Sequence, residues 1–338
     1  MWVAEQSSST NQGPIKEIVI SSFPQNNKWT RWKLRPLFKR LRETLFLPIT
    51  QRKIIKRTNT VTFDILHVIN HGIYPTAFFT KRGEFKFKGE KELWASFHDH
   101  YATASATKKN TQELWLQSDR RFVISYELGS EYNQLFGKRE FELITDGLLQ
   151  NDLSQPHKTI STDISIYFGG LLHIDYYPLF EAFANALDKL SDTNMKFRLV
   201  LRGTQKLSFL KDRMFTVEYR QTFVSDDEIK SEIDRADILY LPIKFNSPNF
   251  YLYSLSTKMI GYLGASGAIF YHGPSDSAAN KLLEKYDSAI SCFSLQEDDI
   301  VRSVKSLIDR HSEVSNNAKS LARQNFELKK IQNIFWEN

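Results

Sequence analysis

Hydrophobic positions along this chain change period many times. Short runs rich in β-branched and aromatic residues alternate with stretches in which apolar side chains recur every three or four positions. In the first half, "KEIVISSF" (16–23), "TFDILHVI" (62–69), "LWASFH" (93–98), "RFVISY" (121–126) and "FELIT" (141–145) read as strands, and "TKKNTQELWLQSD" (107–119) as a helix. Near residue 150 the periodicity lapses into "GLLQNDLSQPHKTISTD", whose Asn, Asp, Ser, Gln and Pro suit a linker. It then resumes. "ISIYF" (164–168), "KFRLVLRG" (196–203), "DILYLPI" (237–243), "GAIFYH" (267–272) and "SAISCF" (288–293) read as strands. "YYPLFEAFANALDKL" (176–190) gathers Leu179, Phe183, Ala186, Leu187 and Leu190 as a helix would, and "SDDEIKSEIDRA" (225–236) opens on a capping box, Ser225 with Glu228. Nearly continuous apolar strands separated by amphipathic helices predict parallel sheets covered on both faces. The fold expected is α/β, as two doubly wound, Rossmann-like domains. The boundaries read as a loose tail (1–14), a first domain (15–150), a linker (151–162), a second domain (163–312) and a C-terminal helical segment (313–338) that can cross back to the first domain.

A length of 338 residues suits two such domains. The single cysteine, Cys292, excludes an internal disulfide and a cysteine-based metal site, and points to a reducing compartment. The N-terminal "MWVAEQSSSTNQGP" lacks the basic and apolar regions of a signal peptide, and no apolar run is long enough to span a bilayer, so a cytoplasmic protein is expected. Charge is uneven. Residues 1–150 hold 23 Lys+Arg against 15 Asp+Glu, whereas the remainder holds 22 against 24. Eleven of the basic residues and one acid, Glu43, fall between 28 and 57, interleaved with Trp29, Trp32, Leu37, Phe38, Leu41 and Leu45. This stretch reads either as a core-facing helix with a solvated basic back or as a surface for anionic membrane. No nucleic-acid-binding motif accompanies the charge, and no nucleic-acid partner is expected.

In open parallel sheets ligands sit beyond the carboxyl ends of the strands, near helix N-termini, and four such junctions carry candidate chemistry. Gly169 and Gly170 follow "IYF" and allow close backbone approach, as a tight turn also would. Arg202 ends "LVLR", where a guanidinium can fork onto phosphate oxygens or pair with a nearby acid. Ser256 and Thr257 open a helix whose free N–H groups and dipole favour an anion. Lys258 in that first turn is disfavoured unless an anion binds beside it. His98, Asp99 and His100 end "LWASF", where a histidine beside a carboxylate can act as acid or base, or contribute to a metal-dependent His/Asp phosphohydrolase site.

Several motifs, taken in order, carry a resemblance. "FVISYELGSEYNQLFG…ELITDGL" is similar to a strand–helix–strand unit closing on Asn-Gly, here Asp146-Gly147. "ISIYFGGLLHIDYYPLFEAFANAL" resembles a strand, glycine loop and first helix of a donor domain. "STKMIGYLGASGAIFYHGPSDSAANKLLEKYDSAISC" resembles the run that follows a donor diphosphate site, and "LARQNFELKKIQNIFWEN" a closing helical segment. Together they resemble the GT-B-fold glycosyltransferases, family-4-like, of bacterial surface polysaccharide (capsule or O-antigen) assembly. The resemblance implies two domains facing a central cleft, and transfer of a sugar from a nucleotide-diphosphate-sugar donor to a glycan or lipid-linked glycan. It implies retention, no metal and no other cofactor, and a cytoplasmic enzyme that can sit peripherally at the inner face of the membrane through residues 28–57. Site by site, it implies His98 and Asp99 as catalytic residues, His100 on the acceptor side, and Gly169, Gly170, Arg202, Ser256, Thr257 and Lys258 around the donor diphosphate. Where the family carries a ribose-contacting glutamate, this chain has Gly261. That departure opens a second reading, a non-catalytic nucleotide-sugar-binding relative.

Overall fold

The computed structural model describes residues 63–72, 87–156, 160, 162–192, 195–221 and 224–336, with 49, 52–56 and 59. The tail at 1–14, the strand expected at 16–23 and most of the basic stretch 28–57 lie outside the described residues. The chain divides into two compact units, one holding residues up to 122 with 132–141, the other 123–131 with the residues from 142 onward.

The elements run, in chain order, as strands β1 (Phe63–Ile69) and β2 (Phe87–Phe97), helix α1 (Lys108–Gln117), β3 (Arg120–Val123), α2 (Tyr126–Phe136) and β4 (Glu142–Leu143). There follow β5 (Asp163–Gly169), α3 (Tyr177–Ser191), β6 (Lys196–Arg202), β7 (Thr216–Arg220), α4 (Asp226–Asp234) and β8 (Ile238–Pro242). The last group is α5 (Pro248–Tyr251), α6 (Thr257–Gly264), β9 (Ala268–His272), α7 (Ala278–Lys285), β10 (Ala289–Cys292), α8 (Glu297–Asp309), α9 (His311–Asn325) and α10 (Leu328–Trp336).

The first sheet has the order β1-β2-β3-β4, with β1 parallel to β2 and Ile69 beside Ser96. Thr107 caps α1 by accepting from the Asn110 N–H, and the helix lays Leu114 and Trp115 into the core. Trp115, Phe97 and Tyr132 meet there edge to face, each pair of ring centres 5.4 Å apart.

The second sheet is parallel throughout, in the order β10-β9-β8-β5-β6-β7. Strand order reverses at β5, so the gap between the carboxyl ends of β5 and β8 is the topological switch point at which such sheets bind ligands. The switch is held rigidly. Leu179, Phe180, Phe183, Ala186, Leu187 and Leu190 of α3 are buried, and Phe183 stacks on Tyr240 of β8 at 4.2 Å between ring centres. Ser225 caps α4 through the Glu228 N–H, and the Glu228 carboxylate reaches to within 3.8 Å of Arg202. The linker residue Ser154 donates its backbone N–H to the Gly264 carbonyl and its hydroxyl to Asp234.

One buried charge in this unit works against the fold. Lys319 of α9 is 1% exposed, and its ammonium has no hydrogen-bond partner among the described residues. Burial lowers its pKa to about 8, with Asp234 of α4 opposing the shift and Arg323 of α9 and Lys230 of α4 adding to it. A lysine whose pKa is lower folded than unfolded destabilises the fold fully below the folded value, and progressively less up to the unfolded one. Lys319→Met is therefore expected to raise stability at pH 7 by up to about 3 kcal/mol. The gain should shrink between pH 8 and 10.5, as read by denaturant titration of both proteins across that range.

Candidate functional site

The site is built on the ends of β5 and β6 and on the start of α6. Ser256 stands as N-cap of α6 in an extended conformation and makes no side-chain cap bond. The N–H groups of Met259 and Ile260 return to the Ser256 carbonyl. Among the described residues, the N–H groups of Thr257 and Lys258 and the hydroxyls of Ser256 and Thr257 have no partner. This helix start thus presents unfilled donors and the positive end of its dipole.

Lys258 turns its chain toward the end of β5. Its Nζ lies 4.9 Å from the centre of the Phe168 ring. A Cβ built on Gly170 would stand 2.8 Å from Lys258 Cε and 2.9 Å from Nζ. Gly170 has φ +129°, a conformation side-chain-bearing residues avoid. Glycine is thus required here for the backbone turn, and it leaves open the space that the end of the Lys258 side chain occupies. No carboxylate pairs with Lys258 among the described residues, and burial pulls its pKa below the usual lysine value. A desolvated cation at a helix N-terminus is unfavourable on both counts, and a bound anion relieves both.

The two glycines contribute space rather than amide donors. The Gly169 N–H points to the Tyr262 hydroxyl at 3.4 Å, and the Gly170 N–H to the Arg202 carbonyl at 2.8 Å. The Gly170 carbonyl accepts from Thr204 Oγ1 at 2.8 Å, and the Leu172 carbonyl from Gln205 Nε2 at 2.6 Å.

Arg202 corrects the reading of a phosphate fork. It ends β6 as expected, but its Nε and Nη2 both donate to Glu232 and its Nη1 donates to the Gln221 carbonyl. Arg220 adds a further bond to the same carboxylate, 2.6 Å from Nη1, and pairs with Glu218. The Glu232 side chain is 5% exposed. Burial pushes the Glu232 carboxyl upward, and the hydrogen bonds from Arg202 and Arg220 overcome this and hold it below the usual carboxylate range. The guanidinium of Arg202 is therefore committed to the protein, because an acid one helical turn beyond Glu228 faces it. Its contribution near the site is its carbonyl.

In the first unit, His98 is exposed and Asp99 half-buried just beyond β2. The Asp99 carbonyl accepts from the Tyr132 hydroxyl at 3.4 Å. His100 is not beside them as an acceptor-side group. It is buried, its ring centre 4.2 Å from that of Tyr101, and its Nδ1 accepts from the Ala102 N–H at 3.4 Å. It shapes the turn after β2. Among the described residues no three His, Cys, Asp or Glu side chains converge as metal ligands would, and no helix is long and apolar enough to cross a membrane.

No protein-family model matches the chain, and no curated protein matches it. Solved structures do. The sucrose-phosphate synthase of Thermosynechococcus elongatus gives a TM-score of 0.67 at 11% identity, covering 98% of this chain and 86% of that one. A trehalose-6-phosphate synthase gives 0.65 at 11% identity, covering 99% and 90%. HepE of Anabaena, solved with UDP and glucose, gives 0.63 at 11% identity, covering 96% and 85%. The fold is that of the GT-B glycosyltransferases.

Three residues outside the sequence candidates bond to them in this fold: Thr204 to Gly170, Tyr262 to Gly169 and Glu232 to Arg202. Thr204 looks like any turn threonine after Gly203, Tyr262 like helix filler, and Glu232 like one more acid of an acidic helix. Only Glu232 carries a signal beforehand. Asp226, Asp227 and Glu228 crowd the first turn as dipole partners, while Glu232 falls on the face where α4 meets the sheet. At Gly261 a Cβ would meet nothing within 4 Å, so packing does not explain the absence of a side chain there.

Proposed function

We propose that this protein is a glycosyltransferase, hexosyltransferase-like. It moves a sugar from a nucleotide-diphosphate-sugar to a glycan or lipid-linked glycan in surface polysaccharide synthesis. One observation carries the reading. A half-buried ammonium, Lys258, with no carboxylate beside it among the described residues, lies beside unfilled donors at the start of α6, next to the switch point of a six-stranded parallel sheet. As the bond from the sugar to the diphosphate breaks, negative charge grows on the leaving oxygen, and donors already fixed in place stabilise that charge without reorganising. Lys258, the amides of Thr257 and Lys258 and the hydroxyls of Ser256 and Thr257 take this role, in place of a divalent cation. UDP, which was bound in the HepE structure, is the first nucleotide to try. Transfer proceeds with retention. His98 and Asp99 are the proposed catalytic pair of the first unit.

Incubation with UDP-, GDP-, ADP- and dTDP-sugars, followed by mass spectrometry of the nucleotide and sugar products, tests the activity. Release or transfer of sugar is expected with at least one donor. His98→Ala and Asp99→Ala are expected to lower turnover by about 10²–10⁴-fold while leaving nucleoside diphosphate affinity in place. Full turnover in both variants would remove these residues from the mechanism.

Gly261 favours one alternative, a nucleotide-sugar-binding protein without turnover. It is supported if donors bind and no product forms with any glycan tried. For residues 28–57 we propose contact with an anionic membrane surface. Vesicles with phosphatidylglycerol should bind the full chain at low salt and release it as salt rises, while neutral vesicles should not.

A further inference from the structure

The Lys258 ammonium has no acid to hold it, yet it rests in a defined place, against Gly170. It lies between the Phe168 ring and Gly170, so part of what fixes its place is whatever fixes Gly170. Both backbone groups of Gly170 are tied to the segment that follows β6. Its N–H goes to the Arg202 carbonyl at 2.8 Å, and its carbonyl receives the Thr204 hydroxyl at 2.8 Å. Gln205 adds a bond to the Leu172 carbonyl two residues along. Arg202 is in turn locked by Glu232 and the Gln221 carbonyl. Among the described residues, Thr204 is the one side chain that hydrogen-bonds to Gly170. Thr204 is 8% exposed, and the bond its hydroxyl makes goes to the Gly170 carbonyl.

We infer that Thr204 is a positioning residue for the donor diphosphate, acting through Gly170 on the seat of Lys258. This inference rests on the reading of Lys258 given above and deepens it. At φ +129° Gly170 has the backbone freedom of a glycine, and its two hydrogen bonds, to the Arg202 carbonyl and from the Thr204 hydroxyl, are what define its conformation. Losing the Thr204 bond frees its carbonyl, lets the residue rotate, and removes the wall against which the ammonium is placed. The cost falls on ligand affinity, because orientation of a charged donor is lost.

The test is calorimetric titration of the full chain with UDP, GDP, ADP and dTDP, for wild type, Thr204→Val, Thr204→Ser, Lys258→Ala and Thr204→Val/Lys258→Ala. Thermal unfolding of each protein is measured alongside. Val keeps the shape and loses the hydroxyl, while Ser keeps the hydroxyl. Thr204→Val is expected to weaken the best-bound nucleotide by about three- to tenfold, Thr204→Ser to restore wild-type affinity, and Thr204→Val to add no further loss once Lys258 is Ala. A merely structural threonine would lower the melting temperature without this coupling. If Thr204→Val fails to fold, Thr204→Ala takes its place in the same cycle. Undiminished affinity in Thr204→Val beside a weakened Lys258→Ala overturns this inference alone, as do losses that simply add. If no nucleotide binds, or Lys258→Ala binds as wild type does, the reading of Lys258 fails and takes this inference with it.

Discussion

Lys258→Ala is expected to cut affinity for the nucleoside diphosphate by about 10- to 100-fold, the range of one charge-assisted hydrogen bond. Lys258→Met should show the same loss together with a gain in stability of the unliganded protein. The two effects have one cause. The ammonium is half-buried and partly desolvated, has no carboxylate beside it among the described residues, and sits where the α6 dipole repels it, so the unliganded fold is expected to be better off without it. Only a ligand bearing negative charge makes it useful. A stability gain coupled to a binding loss marks a functional cation, whereas a structural lysine would lose on both measures. The pH dependence has a definite sign. Burial lowers the Lys258 pKa in the free protein, and a bound anion raises it again. Binding then takes up a proton at alkaline pH, and affinity falls once pH exceeds the free-state pKa. Calorimetry in buffers of different ionisation enthalpy reads that proton directly. Lys258→Arg is not expected to restore full binding, because a planar guanidinium on a different stem does not place its donors where a compact ammonium does.

Glu232→Ala is expected to destabilise the second unit by about 3–5 kcal/mol, the cost of removing one partner from a buried charge cluster. Arg202 would keep its bond to the Gln221 carbonyl and the more distant Glu228 carboxylate, and Arg220 would keep Glu218. Glu232→Gln should lose less, since its amide oxygen still accepts a bond while its amide nitrogen faces guanidinium donors. The linked pH effect follows from the depressed carboxyl. Its contribution is fully present above the unfolded carboxylate value of 4.5 and is lost as pH falls through the folded value. Wild type should therefore lose stability more steeply below pH 4.5 than Glu232→Gln does. Denaturant titrations at pH 3.5, 4.5 and 7 measure the difference. Because the Arg202 carbonyl holds Gly170, a folded Glu232 variant should also bind nucleotide more weakly.

The second unit is legible in the sequence because its strands are buried on both faces. Ile238 to Leu241 and Ala268 to Tyr271 are apolar without interruption, and Ile164 to Phe168 is broken only by the buried Ser165, so these strands stand out without reference to a partner. β7 escapes notice for the opposite reason. "TVEYR" is an edge strand, exposed or half-buried throughout, and its alternation is too short to stand out. "RFVISY" is cut short at Val123, because Ser125 accepts from the Leu128 N–H and α2 has begun by Tyr126. At the site, the start of α6 is readable because Ser-Thr-Lys after a buried strand carries its chemistry in adjacent residues. The fate of Arg202 is not, since Glu232 stands thirty positions away. The glycine pair is readable as a place of close approach, but what approaches Gly170 is Lys258, a contact that chain spacing does not encode.

The central claim is that Lys258, seated against Gly170 at the open start of α6, grips the diphosphate of a nucleotide-sugar. Calorimetric titration of the full chain with a panel of nucleoside diphosphates, beside Lys258→Ala, tests it most directly. At least one nucleotide binding to a single site in wild type, and at least tenfold more weakly in the variant, is the predicted result. Equal affinity in the two proteins, or no binding by any member of the panel, would contradict it.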